Sequence, residues 1–377
     1  MRKIGLFGGT FNPVHNAHIR IAEYALDVLG LDFVIMLTGG NPPHKKGIDI
    51  PDATLRHIML KKAVAGKEKL IPCDFEVNRK EYSYTAKTLE FFKRIFPEDK
   101  LYFIMGGDSL DYFEEWYEPE TIVKLATLAV YGRGKKHNFD FIRNKYNADI
   151  IRLDGEFYDI SSTDLRDAPD LMISQVPTEV YNYIEKYKIY QPRKSDMEIL
   201  RELLSEDRLK HSIGVSKMAK ALGERYGEDE ELLERAGLLH DVAKCIPYEE
   251  ALVMCDELEA DIDPIERTIP GLVHPKLGAE LVKCRFGVSE GKITSAIRCH
   301  TVGKTDMTLF DKIIFVADMC EEGRTFPGVE EIRRTAFENI NKAVLMCLEK
   351  TIDFNLKKGA VVHPMAYRLR DMYKSIL

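Results

Sequence analysis

The sequence predicts an α/β fold, a doubly wound parallel sheet, in its first half and an all-α domain in its second half. In the first half, short apolar runs typical of buried strands alternate with segments of helical periodicity. A short polar, proline-containing stretch at 190–195 follows, and beyond it helical periodicity dominates. We therefore expect two domains, 1–190 and 196–377.

Composition narrows the class of protein. The 377 residues suffice for about two domains, and 45% hydrophobic with 31% charged residues is ordinary for a soluble globular chain. The net charge of −7 argues against a general nucleic-acid-binding surface, although local phosphate sites remain open. No apolar run reaches the ~20 residues of a membrane span, and no signal peptide opens the chain. Seven scattered cysteines without a C-x-x-C pair indicate reduced thiols. We expect a cytoplasmic protein without membrane or nucleic-acid partners, and homo-oligomer formation is left open.

The predicted elements follow in order. The strands of the first half are expected at 4–7, 33–37, 71–77, 101–105, 125–131 and 150–153, and its clearest helices at 19–29, from about 53, and at 86–96. In the second half, helices are expected at 197–204, 209–226, 230–239, 247–254, 275–286, 290–299, 310–320, 329–349 and 365–376. Polar motifs follow the strands, so we expect ligands at the carboxyl ends of the strands.

The stretch 4–18 reads as a strand, a glycine turn and the first turn of a helix. Gly8 and Gly9 permit positive φ and close approach of a ligand to the backbone. Pro13 suits the approach to a helix, and the amide groups at such a junction form an anion site. His15 and His18 are three residues apart, so both side chains can point at that anion.

This stretch resembles the nucleotidylyltransferase signature G-x-F-(D/N)-P-x-H-x-(G/A)-H, with Asn12 and Ala17 as its minor departures. The segment 160–166 resembles the second signature, I-S-S-(S/T)-x-(I/L)-R. The resemblance implies a Rossmann-like domain that transfers a nucleotidyl group to a phosphate and releases pyrophosphate, with Mg²⁺ accompanying ATP. It implies catalytic roles for His15, His18 and Arg166. The ATP-binding residues that it implies are Gly8, Gly9, Thr10, Phe11, Gly106, Asp108, Ser161, Ser162 and Arg166.

The middle motifs point to the acceptor. Segments 42–45, 83–89 and 106–110, followed by Trp116, occur in the order seen in bacterial nicotinate-mononucleotide adenylyltransferases, and this resemblance spans 1–190. It implies that Tyr84, Thr85 and Trp116 hold the pyridine ring of nicotinate mononucleotide, and that Lys45 binds phosphate. Nicotinamide mononucleotide is the alternative acceptor. Trp116 could instead be a packing residue, and Lys45 a solvated lysine.

The second half contains an ordered set of imidazoles and carboxylates. The set comprises His211, His240, Asp241, His274, His300 and Asp318. It resembles the HD-domain metal-dependent phosphohydrolases. Nitrogen and oxygen donors without thiolate suit Fe, Mn, Co or Mg rather than a structural zinc. Asp241 can bridge two ions, and Lys244, one helical turn further on, could meet a substrate phosphate.

Segments 300–303, 317–318 and 323–328 resemble the bacterial YqeK family of symmetrical diadenosine-tetraphosphate hydrolases. The resemblance implies one ion held by His211, His240, Asp241 and Asp318. A second ion would be completed by His274 and His300, with Asp241 shared. It also implies that Arg324 contacts the polyphosphate. The sequence as a whole therefore predicts a bifunctional enzyme. The alternative is that the second domain is a non-catalytic nucleotide-binding regulatory module.

Overall fold

The computed structural model of the chain describes residues 1–40, 50–77, 79, 82–132, 137–155, 160–192 and 194–377. These residues form two compact units, Met1–Tyr190 and Gln191–Leu377. Of the described helices, none combines the length and the apolar character that a bilayer span requires.

The N-terminal unit is built on a six-stranded sheet in the order β3-β2-β1-β4-β5-β6. Every neighbouring pair is parallel. The strands are β1 (Lys3–Gly9), β2 (Phe33–Thr38), β3 (Leu70–Cys73), β4 (Lys100–Gly106), β5 (Ala126–Tyr131) and β6 (Ile150–Leu153). This arrangement confirms the predicted doubly wound α/β fold. Strand order reverses between β1 and β4, which is where such sheets form their ligand crevice.

Nine described helices accompany these strands. They are α1 (Asn16–Val28), α2 (Ala53–Ala63), α3 (Thr85–Ile95), α4 (Gly107–Asp111), α5 (Pro119–Leu125), α6 (Phe139–Tyr146), α7 (Ser162–Asp167), α8 (Pro169–Gln175) and α9 (Thr178–Tyr187). Parallel strands covered on both faces need apolar side chains on both faces. Ile4, Leu6 and Phe7 meet that need in β1, since each is at most 3% exposed.

Three predicted boundaries in this unit were wrong. The strand expected at 71–77 ends at Cys73, because the chain then turns and the Val77 amide donates to the Asp74 carbonyl at 2.8 Å. The strand expected from 125 begins at Ala126, since the preceding residue ends α5. The first helix begins at Asn16 instead of 19, capped by His15.

The described residues of the C-terminal unit form helices and connecting loops and no strand, as predicted. Its helices are α10 (Asp196–Leu203), α11 (Glu206–Tyr226), α12 (Glu230–Leu239), α13 (Tyr248–Glu257), α14 (Pro264–Thr268), α15 (Pro270–Arg285), α16 (Gly291–Cys299), α17 (Leu309–Cys320), α18 (Val329–Glu338), α19 (Ile340–Lys357) and α20 (Pro364–Ile376). Helix α17 is strongly apolar, and it packs against α11, α16 and α19. It forms the centre of the unit.

Two predicted helices of this unit differ most from the observed ones. The helix expected at 329–349 is two helices, because Asn339 is extended (φ −152°) and its side chain accepts the Lys342 amide as an N-cap. The helix expected at 275–286 begins at Pro270, and Pro275 lies inside it. Proline is favoured in the first turn of a helix, so Pro270 marks the start that the sequence reading assigned to Pro275.

Candidate active sites

The glycine corner at the end of β1 is packed around one aromatic ring. The side chain of Phe11 is 1% exposed and its backbone has φ +48°. A Cβ atom at Gly9 would lie 2.7 Å from Cε1 of this ring, so only glycine fits there. The ring also meets the imidazole of His18 edge-on, with the centroids 5.1 Å apart. The corner therefore fixes the position of His18.

The two histidines of the first motif are in contact. The ring centroids of His15 and His18 are 3.7 Å apart, and His15 is 3% exposed. The backbone amide of His15 donates to Nδ1 of His18 at 3.2 Å. Since Nδ1 accepts, the proton of a neutral His18 ring lies on Nε2. The structure thus brings together the two histidines that the sequence singled out and defines the tautomer of one.

The second motif contacts the first directly. The hydroxyl of Ser162 donates to the Pro13 carbonyl at 3.0 Å, and Nη1 of Arg166 donates to the Asn12 carbonyl at 2.6 Å. Ser161 caps α7 by accepting the amide of Asp164. The predicted motif residues from opposite ends of the unit therefore form one cluster at the carboxyl edge of the sheet.

Gly106 and Asp108 lie at that same edge. β4 runs beside β1, with Ile104 opposite Phe7, so both strands end together. Gly106 caps α4, and the carboxylate of Asp108 is exposed in the first turn of that helix.

The three predicted acceptor residues occupy different surroundings. Tyr84 caps α3, which begins at Thr85, and its ring lies 4.6 Å from that of Tyr117. The indole of Trp116 is half-buried and contacts the rings of Phe103 and Phe113. The sequence reading missed Tyr117, and its only signal was its place next to the tryptophan. Lys45 lies outside the described residues.

Sequence reasoning also missed Arg56 in α2. Its guanidinium is 1% exposed and donates to the carbonyl oxygens of Thr10 (Nη1, 2.5 Å), Pro51 (Nε, 2.9 Å) and Gly40 (Nη2, 3.2 Å). Burial lowers the pKa of this arginine. The side chain joins the loop after β1 to the loop after β2. Its only signal in the sequence was weak: a cation among apolar residues of a helix that also carries Lys61 and Lys62.

In the C-terminal unit, the six residues predicted to bind metal come together. They are His211 in α11, His240 and Asp241 directly after α12, His274 in α15, His300 directly after α16 and Asp318 in α17. Residues of α11 and α15, and residues that directly follow α12 and α16, thus meet at the central helix α17.

Asp241 lies between two pairs of imidazoles. Its Oδ2 atom is 3.4 Å from Nε2 of His240 and 3.9 Å from Nε2 of His211. Its Oδ1 atom is 3.0 Å from Nε2 of His274 and 3.5 Å from Nε2 of His300. Each oxygen therefore faces its own pair of nitrogens, and the carboxylate lies between the two halves of the cluster.

The surroundings of this cluster fit a divalent cation. Oδ1 of Asp318 lies 2.9 Å from Nε2 of His211 and 3.7 Å from Nε2 of His240. The Nε2 atom of His240 is buried and has no hydrogen-bond partner, although a buried polar atom normally has one. In each of two groups of residues, the possible ligand atoms lie within 4.8 Å of one another. One group is His211, His240 and Asp318, and the other is His240, Asp241 and His300. The donors are nitrogen and oxygen only.

The pKa values in the cluster also indicate that its carboxylates favour a positive charge beside them. Burial by itself would lower the pKa of His240, but the carboxylates of Asp241 and Asp318 outweigh it and raise that pKa to about 10. Against the opposing effect of burial, neighbouring histidines hold the pKa values of both carboxyls well below their usual range. Burial lowers the pKa of His274 to about 4, so this ring is neutral and can act as a ligand.

Three cationic side chains adjoin the cluster. Nη1 of Arg208 lies 2.8 Å from Oδ2 of Asp241, and Nη2 of Arg324 lies 2.8 Å from Oδ1 of Asp318. Nζ of Lys244 is 3.4 Å from Nε2 of His274, and burial lowers its pKa. The prediction that Lys244 continues a helix was wrong, since α12 has already ended and a turn carries it. Arg208 was missed, although it lies three residues before His211 on the same helix.

A cleft of about 580 Å³ opens beside His211. Cationic side chains line part of it, namely Arg208, Lys210, Lys217 and Arg324. The carboxylates of Asp207, Glu321 and Glu322 line the cleft as well, so its cationic side chains outnumber its carboxylates by four to three.

Comparison with protein-family models agrees with the division of the chain into two compact units. The cytidylyltransferase-like model matches residues 6–168, and the HD-domain model matches residues 208–323. The fold and the two clusters thus define a nucleotidyltransferase joined to an HD-domain protein. HD domains are metal-dependent, which agrees with the histidine and aspartate clusters of the C-terminal unit.

Some known proteins match about half of the chain, and one matches nearly all of it. A protein of Clostridium tetani named "Probable nicotinate-nucleotide adenylyltransferase" is 38% identical over 205 residues, 51% of this chain and 100% of its own length. The chain belongs to the nicotinate-nucleotide adenylyltransferase family. A protein of Mycoplasma genitalium named "Probable nicotinate-nucleotide adenylyltransferase/Ap4A hydrolase" is 27% identical over 356 residues, 92% of this chain and 97% of that protein.

Among solved structures, a protein of Clostridium acetobutylicum described as a "predicted HD superfamily hydrolase involved in NAD metabolism" matches 49% of this chain. It is 35% identical, is covered along 100% of its length and has a TM-score of 0.47.

Proposed function

We propose that this chain is a bifunctional enzyme. Its N-terminal domain, residues 1–190, transfers AMP from ATP to nicotinate mononucleotide and yields deamido-NAD and pyrophosphate. Its C-terminal domain, residues 196–377, hydrolyses diadenosine tetraphosphate to two molecules of ADP. The names of the clostridial and mycoplasmal relatives support both substrates. The seven cysteines, all free, suit the reducing cytoplasm in which such an enzyme would work.

The observation that carries the first activity is the junction of the two motifs at the sheet edge. Adenylyl transfer is an in-line displacement: a phosphate oxygen of the acceptor bonds to the α-phosphorus of ATP, the bond to the bridging oxygen breaks, and pyrophosphate leaves. Such a step needs positioning and cationic or hydrogen-bonding groups, and no side-chain nucleophile. We assign His15, His18 and Arg166 to the phosphates, together with Lys45. Mg²⁺ accompanies ATP.

The nucleotide would lie along the glycine corner. Gly8, Gly9, Thr10 and Phe11 offer backbone and space, and the hydroxyls of Ser161 and Ser162 lie at the start of α7, where the helix dipole favours phosphate. The remaining residues of this ATP site are Gly106, which opens α4, and Asp108, whose exposed carboxylate can accept from a ribose hydroxyl.

The acceptor would be bound by Tyr84, Thr85 and Trp116. The paired rings of Tyr84 and Tyr117 add a second aromatic surface, which suits a flat pyridine ring. Comparing turnover of nicotinate and nicotinamide mononucleotide tests the acceptor. Equal or faster use of the amide would replace the nicotinate assignment by its alternative.

The observation that carries the second activity is the placement of Asp241 between two imidazole pairs. His211, His240, Asp241 and Asp318 would hold one divalent ion, and His274 with His300 would complete a second. Iron, manganese or cobalt suits these donors. Bound there, such an ion supplies Lewis-acid polarisation of a phosphoryl group and lowers the pKa of water.

The chain's own cations would position the polyphosphate. Arg324 offers a planar fork at the cleft, and Nζ of Lys244 lies against His274. Both assignments rest on the proposed substrate. The scissile phosphoryl group would then lie next to Asp241.

Two assays with the full-length protein test the two halves separately. Pyrophosphate release from ATP and nicotinate mononucleotide should fall by orders of magnitude in His18→Ala, while ADP release from diadenosine tetraphosphate with added Mn²⁺, Fe²⁺ or Co²⁺ stays unchanged. No ADP release and no bound metal in the wild type would replace the hydrolase by a regulatory nucleotide-binding module.

A further inference from the structure

The Nδ1 atoms of three histidines in the metal cluster are held by different acceptors. Nδ1 of His240 faces the carbonyl of Gly237 at 2.7 Å, and Nδ1 of His300 faces the carbonyl of Ile297 at 2.7 Å. Both acceptors lie three residues earlier, in the helix that the histidine directly follows. His211 is held differently, by the side chain of a residue 110 positions further along the chain.

That residue is Glu321, at the end of α17. Its Oε1 atom is 3.1 Å from Nδ1 of His211, and the residue is 4% exposed. A carboxylate accepts, so Nδ1 of His211 donates, and Nε2 is the nitrogen turned towards Asp318 at 2.9 Å. A carboxylate behind a ligating imidazole orients the ring and makes it a stronger ligand.

The fold makes room for this contact at Gly214 of α11. A Cβ atom there would lie 2.3 Å from Oε2 and 3.0 Å from Cδ of Glu321. Glycine weakens a helix relative to alanine. The glycine at position 214, three residues after His211, is therefore explained by the close approach of the Glu321 carboxylate.

The other oxygen of Glu321 ties the same residue to the cleft. Oε2 accepts the amide of Gly323 at 2.5 Å, next to Arg324. Arg333 of α18 holds this loop from behind, since it donates to the carbonyls of Glu321 and Arg324, each at 2.6 Å. One carboxylate thus touches both a metal-ligand imidazole and the loop that carries the predicted phosphate-binding arginine.

We propose that Glu321 is a positioning residue that sets the orientation of His211 and couples that half of the metal cluster to the Gly323–Arg324 loop. The proposal rests on the proposed metal-dependent function of the C-terminal unit. It predicts that loss of the carboxylate weakens the ion held by His211 more than the ion held by His274 and His300.

The test is titration of Mn²⁺ into metal-free full-length protein, with free Mn²⁺ followed by electron paramagnetic resonance. Glu321→Ala should raise the apparent Kd for Mn²⁺ about 10- to 100-fold. Glu321→Gln should recover part of that loss, because its amide oxygen can still accept from Nδ1 of His211. Gly214→Ala should weaken Mn²⁺ binding as well, although alanine favours the helix. The matched control is Glu331→Gln, which removes an exposed carboxylate of α18.

Wild-type Mn²⁺ affinity in Glu321→Ala, with an unchanged circular dichroism spectrum, would overturn the proposal. Equal weakening of Mn²⁺ binding in Glu321→Ala and Glu331→Gln would overturn it too, because the effect would then be one of general charge. Failure of the proposed hydrolysis is recognised separately: the wild type would bind Mn²⁺ but release no ADP, and the comparison of Kd values would still decide the role of Glu321.

Discussion

Arg166 and Asn12 are 154 positions apart, yet Nη1 of Arg166 donates to the carbonyl oxygen of Asn12 at 2.6 Å. The contact fixes the backbone of the first motif from the second. A further bond from Nη1 to the Ser162 carbonyl, at 3.1 Å, holds the guanidinium against its own helix. The arginine is therefore oriented by the protein before any nucleotide arrives.

Arg166→Lys should reduce kcat/KM for ATP about 10- to 100-fold. Lysine keeps the charge but lacks the planar fork, and a hydrogen bond to a charged group is worth roughly 1.5–3 kcal/mol. Steady-state pyrophosphate release measures the effect. Arg152→Lys, which changes an exposed arginine paired with Asp154, is the matched control. Equal rates in the two variants would contradict the assignment.

Arg56→Met should destabilise the N-terminal unit and raise KM for ATP together. The substitution leaves the carbonyls of Thr10 and Gly40 without their buried donor, at about 1–3 kcal/mol for each unsatisfied group. Thermal unfolding followed by calorimetry should show one transition moved to lower temperature and the transition of the helical unit unmoved. Arg56→Lys should restore part of the stability. A raised KM with unchanged unfolding would show that the side chain acts on the nucleotide alone.

Asp241→Asn should strip the bound metal and abolish hydrolysis of diadenosine tetraphosphate. The carboxylate faces both imidazole pairs, so its loss affects both halves of the cluster. Elemental analysis of the purified protein measures the metal. The control Asp261→Asn removes an exposed carboxylate from the loop before α14, and it should leave metal content and ADP release unchanged. Adenylyl transfer should be normal in both variants, and full metal content in Asp241→Asn would rule out the bridging role.

Trp116→Ala should weaken acceptor binding more than ATP binding. The indole is half-buried against Phe103 and Phe113, so its removal also opens a cavity in the core. Trp116→Phe separates the two effects, because it refills much of that space with a smaller aromatic face. Measured KM values for the two substrates should rise unequally in Trp116→Ala. If they rise together, ring stacking on the acceptor is excluded.

Acid should weaken the N-terminal unit partly through Asp99. Its carboxylate accepts from the side chain and the backbone amide of Arg2, which holds the pKa of Asp99 below its ordinary value of 3.8. The folded-state pKa is therefore below that of the unfolded chain. The stabilisation is complete above the ordinary value and is lost as the pH falls through the folded-state pKa. Unfolding of Asp99→Asn, compared with wild type between pH 5 and about pH 2, should show a smaller dependence on pH.

The sequence predicted the two-part fold because the signals that carry it are local. Runs such as 101–105 and the strict order of motifs do not depend on distant contacts. The break at Asn339 was missed because apolar periodicity continues across it, and only the side-chain cap shows that a new helix begins. Arg56 and Glu321 were missed for a related reason. Each acts through residues far away in the chain, so its own neighbourhood in the sequence gives at most a weak signal.

The N-terminal site combines a central strand of the sheet with a short helix. β1 is hydrogen-bonded to β2 on one side and to β4 on the other, whereas α7 is a helix of six residues. Backbone amides of β1 should exchange with solvent deuterium only when the whole unit unfolds, and those of α7 through small local fluctuations. A nucleotide bound between them would then damp the fluctuations of the short helix, while the central strand would exchange no faster than before.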